Sequence, residues 1–129
     1  MRTHHYTLNI EWTGSRGQGT RTMAGYGREH LITAPGKPPI TGSSDPSFRG
    51  DPACWNPEEL LLASLSACHK LWYLGLCAGA GVIVESYHDQ PEGVMVEEAD
   101  GAGQFTSVTL RPRVTIAPES ERKARGGDA

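Results

Sequence analysis

The sequence lacks the features of several large protein classes. It has no excess of positive charge, because 12 Lys and Arg stand against 15 Asp and Glu in 129 residues, whereas nucleic-acid-binding domains usually carry a basic stripe. No uninterrupted run approaches the roughly 18 apolar residues that a membrane-spanning helix needs, and the start, MRTHHYTLNIEW, has no apolar segment typical of a signal peptide. We therefore expect a cytoplasmic protein that binds neither nucleic acid nor a membrane.

Cysteine is also scarce, since the chain has only Cys54, Cys68 and Cys77. An odd set of three in a cytoplasmic protein indicates free thiols rather than a disulfide framework. The 16 Gly and 9 Pro predict many turns around a modest core, which a second copy of the chain would help to complete. The length fits a single domain over residues 1–129, and no side-chain pattern calls for a metal or another cofactor.

The first half of the chain reads as strands followed by a long loop. Alternation of Tyr6, Leu8, Ile10 and Trp12 with polar residues predicts a half-buried strand over 5–12. A second strand over 20–23 would close a hairpin with it, and another is expected over 28–33. Residues 34–55 are rich in Pro, Gly, Ser and Asp and predict a long loop.

A long helix is the best-marked element of the sequence. Asn56 is suited to cap it, Pro57 to occupy its first turn, and the two glutamates that follow to lie at the positive end of its dipole. The helix should end in the stretch Gly79-Ala80-Gly81. Because it is apolar over more than half of its circumference, we expect it to be central and buried on several sides.

The second half predicts further antiparallel strands, which makes the fold class α+β. Strands are expected over 82–87, 94–96 and 105–116, with turns between them. Pro112 inside the last strand indicates an edge or a bulge. Residues 118–129 read as a polar, poorly ordered tail.

Cys68 is the strongest candidate for chemistry. A helical cysteine can simply be a small buried apolar residue, but a reactive one needs a cation that favours its thiolate. The sequence offers a guanidinium in the preceding loop, at Arg49, and a carboxylate at the helix start, Glu58, that could hold it. His69 follows Cys68, but neighbouring helical residues point about 100° apart, so we interpret it as a packed or hydrogen-bonded histidine.

Four segments resemble the OsmC/Ohr organic hydroperoxide reductases: HHYTLNIEWTG, DPSFRGDP, NPEELLLASLSACH and GQFTSVTLRPRVTI. The resemblance covers roughly residues 4–117. It implies that Cys68 is the peroxidatic cysteine, that Glu58 is the family's active-site glutamate, and that Arg49 is the arginine that pairs with both. Members supply the arginine from different loops, so Arg16 and Arg21 remain open. The fold implied is an intertwined homodimer.

The resemblance also implies a thiol-dependent peroxidase that reduces organic hydroperoxides to alcohols. Apolar and aromatic residues near the cysteine would suit an organic substrate, and we assign Trp55, Leu61, Trp72 and Tyr73 to the substrate pocket. Glu58 and Cys68 lie ten residues, or about 15 Å, apart along one helix. Two antiparallel copies of the helix would bring these groups together, so we predict active sites at a two-fold dimer interface.

The family's second, resolving cysteine follows the long strand near the C-terminus, and no cysteine follows Cys77 here. We expect a chain that lacks this C-terminal segment and turns over with an external thiol or dithiol reductant. Cys77 is about 13 Å from Cys68 along the helix, too far for a disulfide. We interpret Cys54 as an incidental loop thiol, the alternative being that it approaches Cys68 of a second copy. The alternative function is a non-catalytic OsmC-like protein that binds a hydrophobic ligand at the dimer interface. A Cys68–His69 hydrolase is disfavoured, because the two side chains diverge and no third group orients them.

Overall fold

The computed structural model describes residues 1–121, which form one long helix and seven strands. The chain divides into two compact units, Met1–Leu60 and a second that begins at Leu61. The expected α+β class, with antiparallel strands before and after one long helix, is confirmed. Of the predicted tail, residues 122–129 lie outside the described residues, whereas Pro118–Ser120 form a short 3-10 helix with Ser120 buried.

The first unit contains a three-stranded antiparallel sheet in the order β1 (Asn9–Trp12), β2 (His30–Thr33), β3 (Ile40–Gly42). The strand predicted over 20–23 is wrong, since β1 pairs directly with β2 in the register Ile10↔Ile32. The loop between β1 and β2 is held in place by side-chain contacts instead of strand pairing. The indole of Trp12 donates to the carbonyl of Gly27 at 2.8 Å, and the side chain of Arg28 lies over the Tyr26 ring.

Two other expectations for this unit are corrected. The predicted loop over 34–55 contains β3 and a 3-10 helix, Pro46–Phe48, which Asp45 caps by accepting from the Ser47 amide. The first strand is exposed rather than half-buried, with Ile10 65% and Trp12 43% accessible, because no element within residues 1–121 buries its apolar side chains.

The helix, α1 (Pro57–Gly79), begins and ends as its sequence predicts. At its start, Asn56 accepts from the Glu59 amide and the Glu59 carboxylate accepts from the Asn56 amide, a reciprocal capping box. At its end, the amides of Val82 and Gly81 donate to the carbonyls of Cys77 and Ala78. This Schellman geometry requires a positive φ at Gly81, which is 76°.

The expected burial of α1 is not found within this chain. No residue of the helix is buried, and its exposed large side chains include Leu71 at 65%, Trp72 at 70% and Leu76 at 68%. By length and composition, α1 also meets the criterion for a membrane-spanning helix, contrary to our expectation that no stretch would; core helices of soluble proteins meet the same criterion. Within residues 1–121 the only buried apolar residues are Val82 and Ala117.

The second unit pairs its strands in two antiparallel ladders. β4 (Val84–His88) pairs with β7 (Arg113–Ile116), and β5 (Glu92–Glu97) pairs with β6 (Gly103–Thr109). The single strand predicted over 105–116 is therefore two strands, interrupted at residues 110–112. One cause is local, because Pro112 has no amide hydrogen to donate. The other is a tertiary contact, since the Arg111 amide donates to the Asp89 carboxylate at 2.7 Å rather than to a strand.

Candidate functional site

Cys68 lies on an exposed, apolar side of α1. We define the Cys68 face as Cys68 with the large apolar residues within about 80° of it around the helix axis: Leu61, Leu65, Leu71, Trp72 and Leu76. All of these side chains are exposed in the single chain, as is Cys68 itself. The C-terminal part of the face forms an open groove of about 340 Å³ lined by Leu71, Trp72, Gly75 and Leu76. A thiol here is accessible and has apolar surroundings on its own helix.

Glu58 carries a buried polar atom without a partner. Its side chain is half-buried in the first turn of α1, and its Oε2 atom is inaccessible and accepts no hydrogen bond from any described residue. Buried carboxylate oxygens without a donor are costly, because they lose their hydration and regain nothing. The position therefore fits a carboxylate whose donor comes from outside the described chain.

The three candidate arginines of the first unit differ in how far they are already engaged. Arg16 faces Glu29 at 3.9 Å, and Arg21 donates to the Gln18 carbonyl at 2.7 Å. Arg49 ends the 3-10 helix with a left-handed φ of 64°, and its side chain is exposed with no hydrogen bond or ion pair among residues 1–121. Of the three, Arg49 has the guanidinium that is free to bind a carboxylate or a substrate oxygen.

The residues assigned to the substrate pocket fall in different places. Leu61 and Trp72 belong to the Cys68 face, and Trp55 is 56% exposed in the first unit. Tyr73 points to the other side of α1, where its ring packs against Tyr87 at 5.8 Å and stacks on His69 at 6.2 Å. Its placement gives it no share in a pocket at Cys68.

His69 is hydrogen-bonded, as its sequence position indicated. Its Nδ1 atom lies 3.0 Å from the Tyr87 hydroxyl, so one ring nitrogen is already occupied on the side of α1 away from Cys68. This arrangement supplies no base to the Cys68 thiol and weighs against a Cys–His hydrolase.

Neither of the other thiols resembles a poised nucleophile. Burial, together with the adjacent Asp51 carboxylate at 3.7 Å, raises the pKa of the Cys54 thiol, which disfavours its thiolate at neutral pH. Cys77 is half-buried, and after burial it is the main contributor to the raised pKa of Tyr73. Cys68 is the one cysteine of the three with an exposed side chain.

Sequence reasoning missed a polar cluster centred on Asp89. This carboxylate accepts from the Ser66 hydroxyl of α1 at 2.6 Å and from the Arg111 amide at 2.7 Å. The Ser66 bond is the main reason that the pKa of Asp89 is lowered. Nothing in the spacing of these residues marks them as partners, because the bonds join positions more than 20 residues apart.

The chain has clear relatives among known proteins. The family model described as OsmC-like protein matches residues 50–126. A solved structure, that of an OsmC-like protein of unknown function from Vibrio cholerae O1 biovar eltor str. N16961, aligns with a TM-score of 0.80 at 28% identity, over 96% of this chain and 82% of that one. No curated protein matches the chain.

Proposed function

Because the chain belongs to the OsmC-like family, we propose that it is a thiol-dependent peroxidase that reduces organic hydroperoxides through Cys68. The observation that carries this proposal is the buried Oε2 of Glu58, which has no partner among the described residues. Such a carboxylate is suited to bind a cationic group, and none of the described residues provides one to it in the single chain. The uncommitted guanidinium of Arg49 has the matching charge and donor geometry.

The first chemical step requires only the thiolate and a hydroperoxide. The Cys68 sulfur attacks the distal peroxide oxygen, the O–O bond breaks, and the sulfur becomes a sulfenic acid while an alkoxide leaves. The alkoxide then takes a proton and departs as the alcohol. Arg49 favours the thiolate and stabilises the negative charge that develops on the leaving oxygen, and Glu58 positions Arg49.

The Cys68 face supports an organic substrate. Exposed leucines and Trp72 surround the thiol on its own helix, and apolar surface of this kind binds the hydrocarbon part of an alkyl hydroperoxide better than it binds hydrogen peroxide. The attack is then directed by apolar contacts rather than by polar recognition.

A second copy completes the site in this proposal. Glu58 and Cys68 are about 15 Å apart along α1, and packing two α1 helices antiparallel brings Glu58 of one copy toward Cys68 of the other. We interpret the exposed Cys68 face as a surface that a second copy covers rather than as a membrane span, because core helices of soluble proteins pass the same test of length and composition. The two-fold symmetry gives two equivalent sites per dimer.

Turnover requires an external thiol, because Cys54 and Cys77 are poorly placed to resolve the sulfenic acid. One thiol condenses with the sulfenic acid to a mixed disulfide and releases water, and a second thiol reduces that disulfide and restores Cys68. A dithiol supplies both groups from one molecule. We place the protein in the cytoplasm, where such reductants are abundant.

The test is consumption of cumene hydroperoxide with a dithiol reductant. We expect Cys68→Ser to abolish turnover, and Arg49→Met and Glu58→Gln to lower kcat/KM by about a hundredfold and about tenfold. Arg16→Met and Arg21→Met are the matched controls and should keep most of the activity. A Cys68→Ser protein as fast as the unchanged protein would overturn the proposal.

One observation favours a second candidate, a non-catalytic protein that binds a hydrophobic ligand. The groove of about 340 Å³ on the Cys68 face is lined by Leu71, Trp72, Gly75 and Leu76, with no charged group among the described residues that line it. Ligand binding that quenches Trp fluorescence, unchanged in Cys68→Ser and without hydroperoxide turnover in either protein, would identify this function.

A further inference from the structure

A second pocket lies on the other side of α1 from Cys68. It has a volume of about 420 Å³ and is lined by residues of α1 together with residues 87–89 of β4 and its following turn. Its helix residues, which include Ala63, Ala67 and Lys70, are turned by about 100° or more from Cys68 around the helix axis. The pocket is therefore distinct from the Cys68 face, and its size falls in the range of small-molecule sites.

Most polar groups of this pocket are already engaged. The Ser66 hydroxyl donates to Asp89, the Tyr87 hydroxyl bonds to His69, and the Asp89 carboxylate accepts from both Ser66 and the Arg111 amide. These bonds fix the orientation of the pocket's hydroxyl groups and satisfy its one carboxylate. They leave little capacity for a ligand at that end of the pocket.

Lys70 is the exception. It is half-buried, and neither of the two ion pairs found among residues 1–121 involves it. An ammonium that lines a pocket, has lost part of its hydration and has no carboxylate of residues 1–121 within 4 Å is suited to bind an anion.

The remaining wall is apolar and small. Ala63, Ala67 and Pro91 present methyl and ring carbons without large side chains, which leaves room for a hydrocarbon body beside Lys70. We propose that this pocket binds a small organic carboxylate, with its carboxylate on the Lys70 ammonium and its carbon chain against Ala63, Ala67 and Pro91. The negative charge of Asp89 sets the orientation, because it keeps the ligand's carboxylate at the Lys70 end.

The test uses three ligands that share one carbon chain: hexanoate, hexanamide and hexylamine. Backbone amide shifts of the full chain are followed by NMR as each ligand is added at millimolar concentrations. We expect saturable shifts centred on Ser66, Ala67 and Lys70 with hexanoate, and binding about tenfold weaker for the neutral amide, because the charge-assisted bond is lost. Equal binding of hexanamide, preferential binding of hexylamine, or no saturation with hexanoate would overturn the proposal.

Variants test whether the Lys70 ammonium is the group that binds the carboxylate of hexanoate. Lys70→Gln should weaken hexanoate binding about tenfold, Lys70→Arg should retain it, and Lys37→Gln, at an exposed lysine of the first unit, should have no effect. An equal loss in Lys37→Gln would indicate a general surface-charge effect and would contradict the proposed site. Cys68→Ser should bind hexanoate normally, so this result is independent of peroxidase activity.

Discussion

Two carboxylates, those of Asp89 and Glu58, have opposite surroundings in the folded chain. Asp89 accepts from a hydroxyl and from backbone amides, whereas Glu58 has an inaccessible oxygen with no donor among the described residues. The first arrangement stabilises the fold, since it holds the turn after β4 against α1. The unsatisfied oxygen of Glu58 destabilises the fold unless a donor binds it. A partner subunit at an interface, or a substrate, can provide such a donor.

The stability contributed by Asp89 should depend on pH. Hydrogen bonding, chiefly from Ser66, lowers its pKa in the folded state, so the unfolded chain binds the proton more readily. The contribution is therefore fully present above about pH 4, the pKa of an unperturbed carboxyl, and is lost as the pH falls through the lower folded-state value. We expect Asp89→Asn to lower the urea midpoint at neutral pH and to have a smaller effect in acid.

Urea unfolding at a series of pH values measures this difference. Glu85→Gln is the matched control, because Glu85 is exposed and has no hydrogen bond or ion pair among the described residues. A difference between Asp89→Asn and the unchanged protein that stays constant down to the most acidic pH would contradict the assignment.

At the scale of the element, α1 shows how two glycines of one segment have opposite roles. Gly81 lies beyond the helix end with a φ of 76°, a conformation that side chains disfavour. Gly75 lies in the helix interior, where an added Cβ meets no atom within 4 Å. The first glycine is required by the turn, and the second only weakens the helix.

These two positions predict substitutions of opposite sign. Gly81→Ala should lower the free energy of unfolding by about 1–2 kcal/mol, because alanine must adopt the left-handed conformation. Gly75→Ala should raise it by about 0.5–1 kcal/mol through helix propensity. Urea denaturation of both variants checks the pair, and the same sign of change in both would contradict the assigned helix end.

The elements differ in how far the sequence predicts them. Both ends of α1 follow from local chemistry, since Asn56 and Gly81 act on amides and carbonyls within one turn. Strand pairing does not, because β1 passes over a 17-residue loop to reach β2, and that loop is held by tertiary contacts such as Trp12 to Gly27. Pro112 indicates from the sequence that the last predicted strand is irregular. The bond from the Arg111 amide to Asp89, which contributes to the full interruption, joins positions far apart in the sequence and is not predictable from it.

The candidate site divides in the same way. Cys68 and Glu58 are predicted because they belong to one short helical motif. The preference for Arg49 over Arg16 and Arg21 stays a prediction, supported by the bonds that already engage the other two guanidinium groups. The opposite orientation of Tyr73 follows from its packing on Tyr87. The predicted burial of α1 is not found, because residues 1–121 of a single chain do not cover the helix.

At the scale of the molecule, the exposed apolar surface predicts self-association. Only Val82 and Ala117 are buried apolar residues within 1–121, while the leucines and the tryptophan of the Cys68 face are exposed. The dimer that we propose would remove this surface from water and complete the site in one step.

Light scattering tests this association. We expect twice the chain mass of 13.9 kDa, and we expect Leu76→Glu to shift the protein toward the single-chain mass, because a buried unpaired carboxylate is costly. Met23→Glu, at an equally exposed loop position, is the control and should leave the mass unchanged. A fully active protein of single-chain mass would contradict the proposed dimer.

The exposed Cys68 face has a further consequence for how the protein responds to dilution. If two chains cover that face together, folding is governed by the law of mass action, and the melting temperature rises with protein concentration. Dissociation of the dimer on dilution would then cause both inactivation and unfolding. The reason is that the leucines that bind the hydrocarbon part of the substrate also hold the two chains together. The cellular abundance of the chain itself becomes a control on its activity.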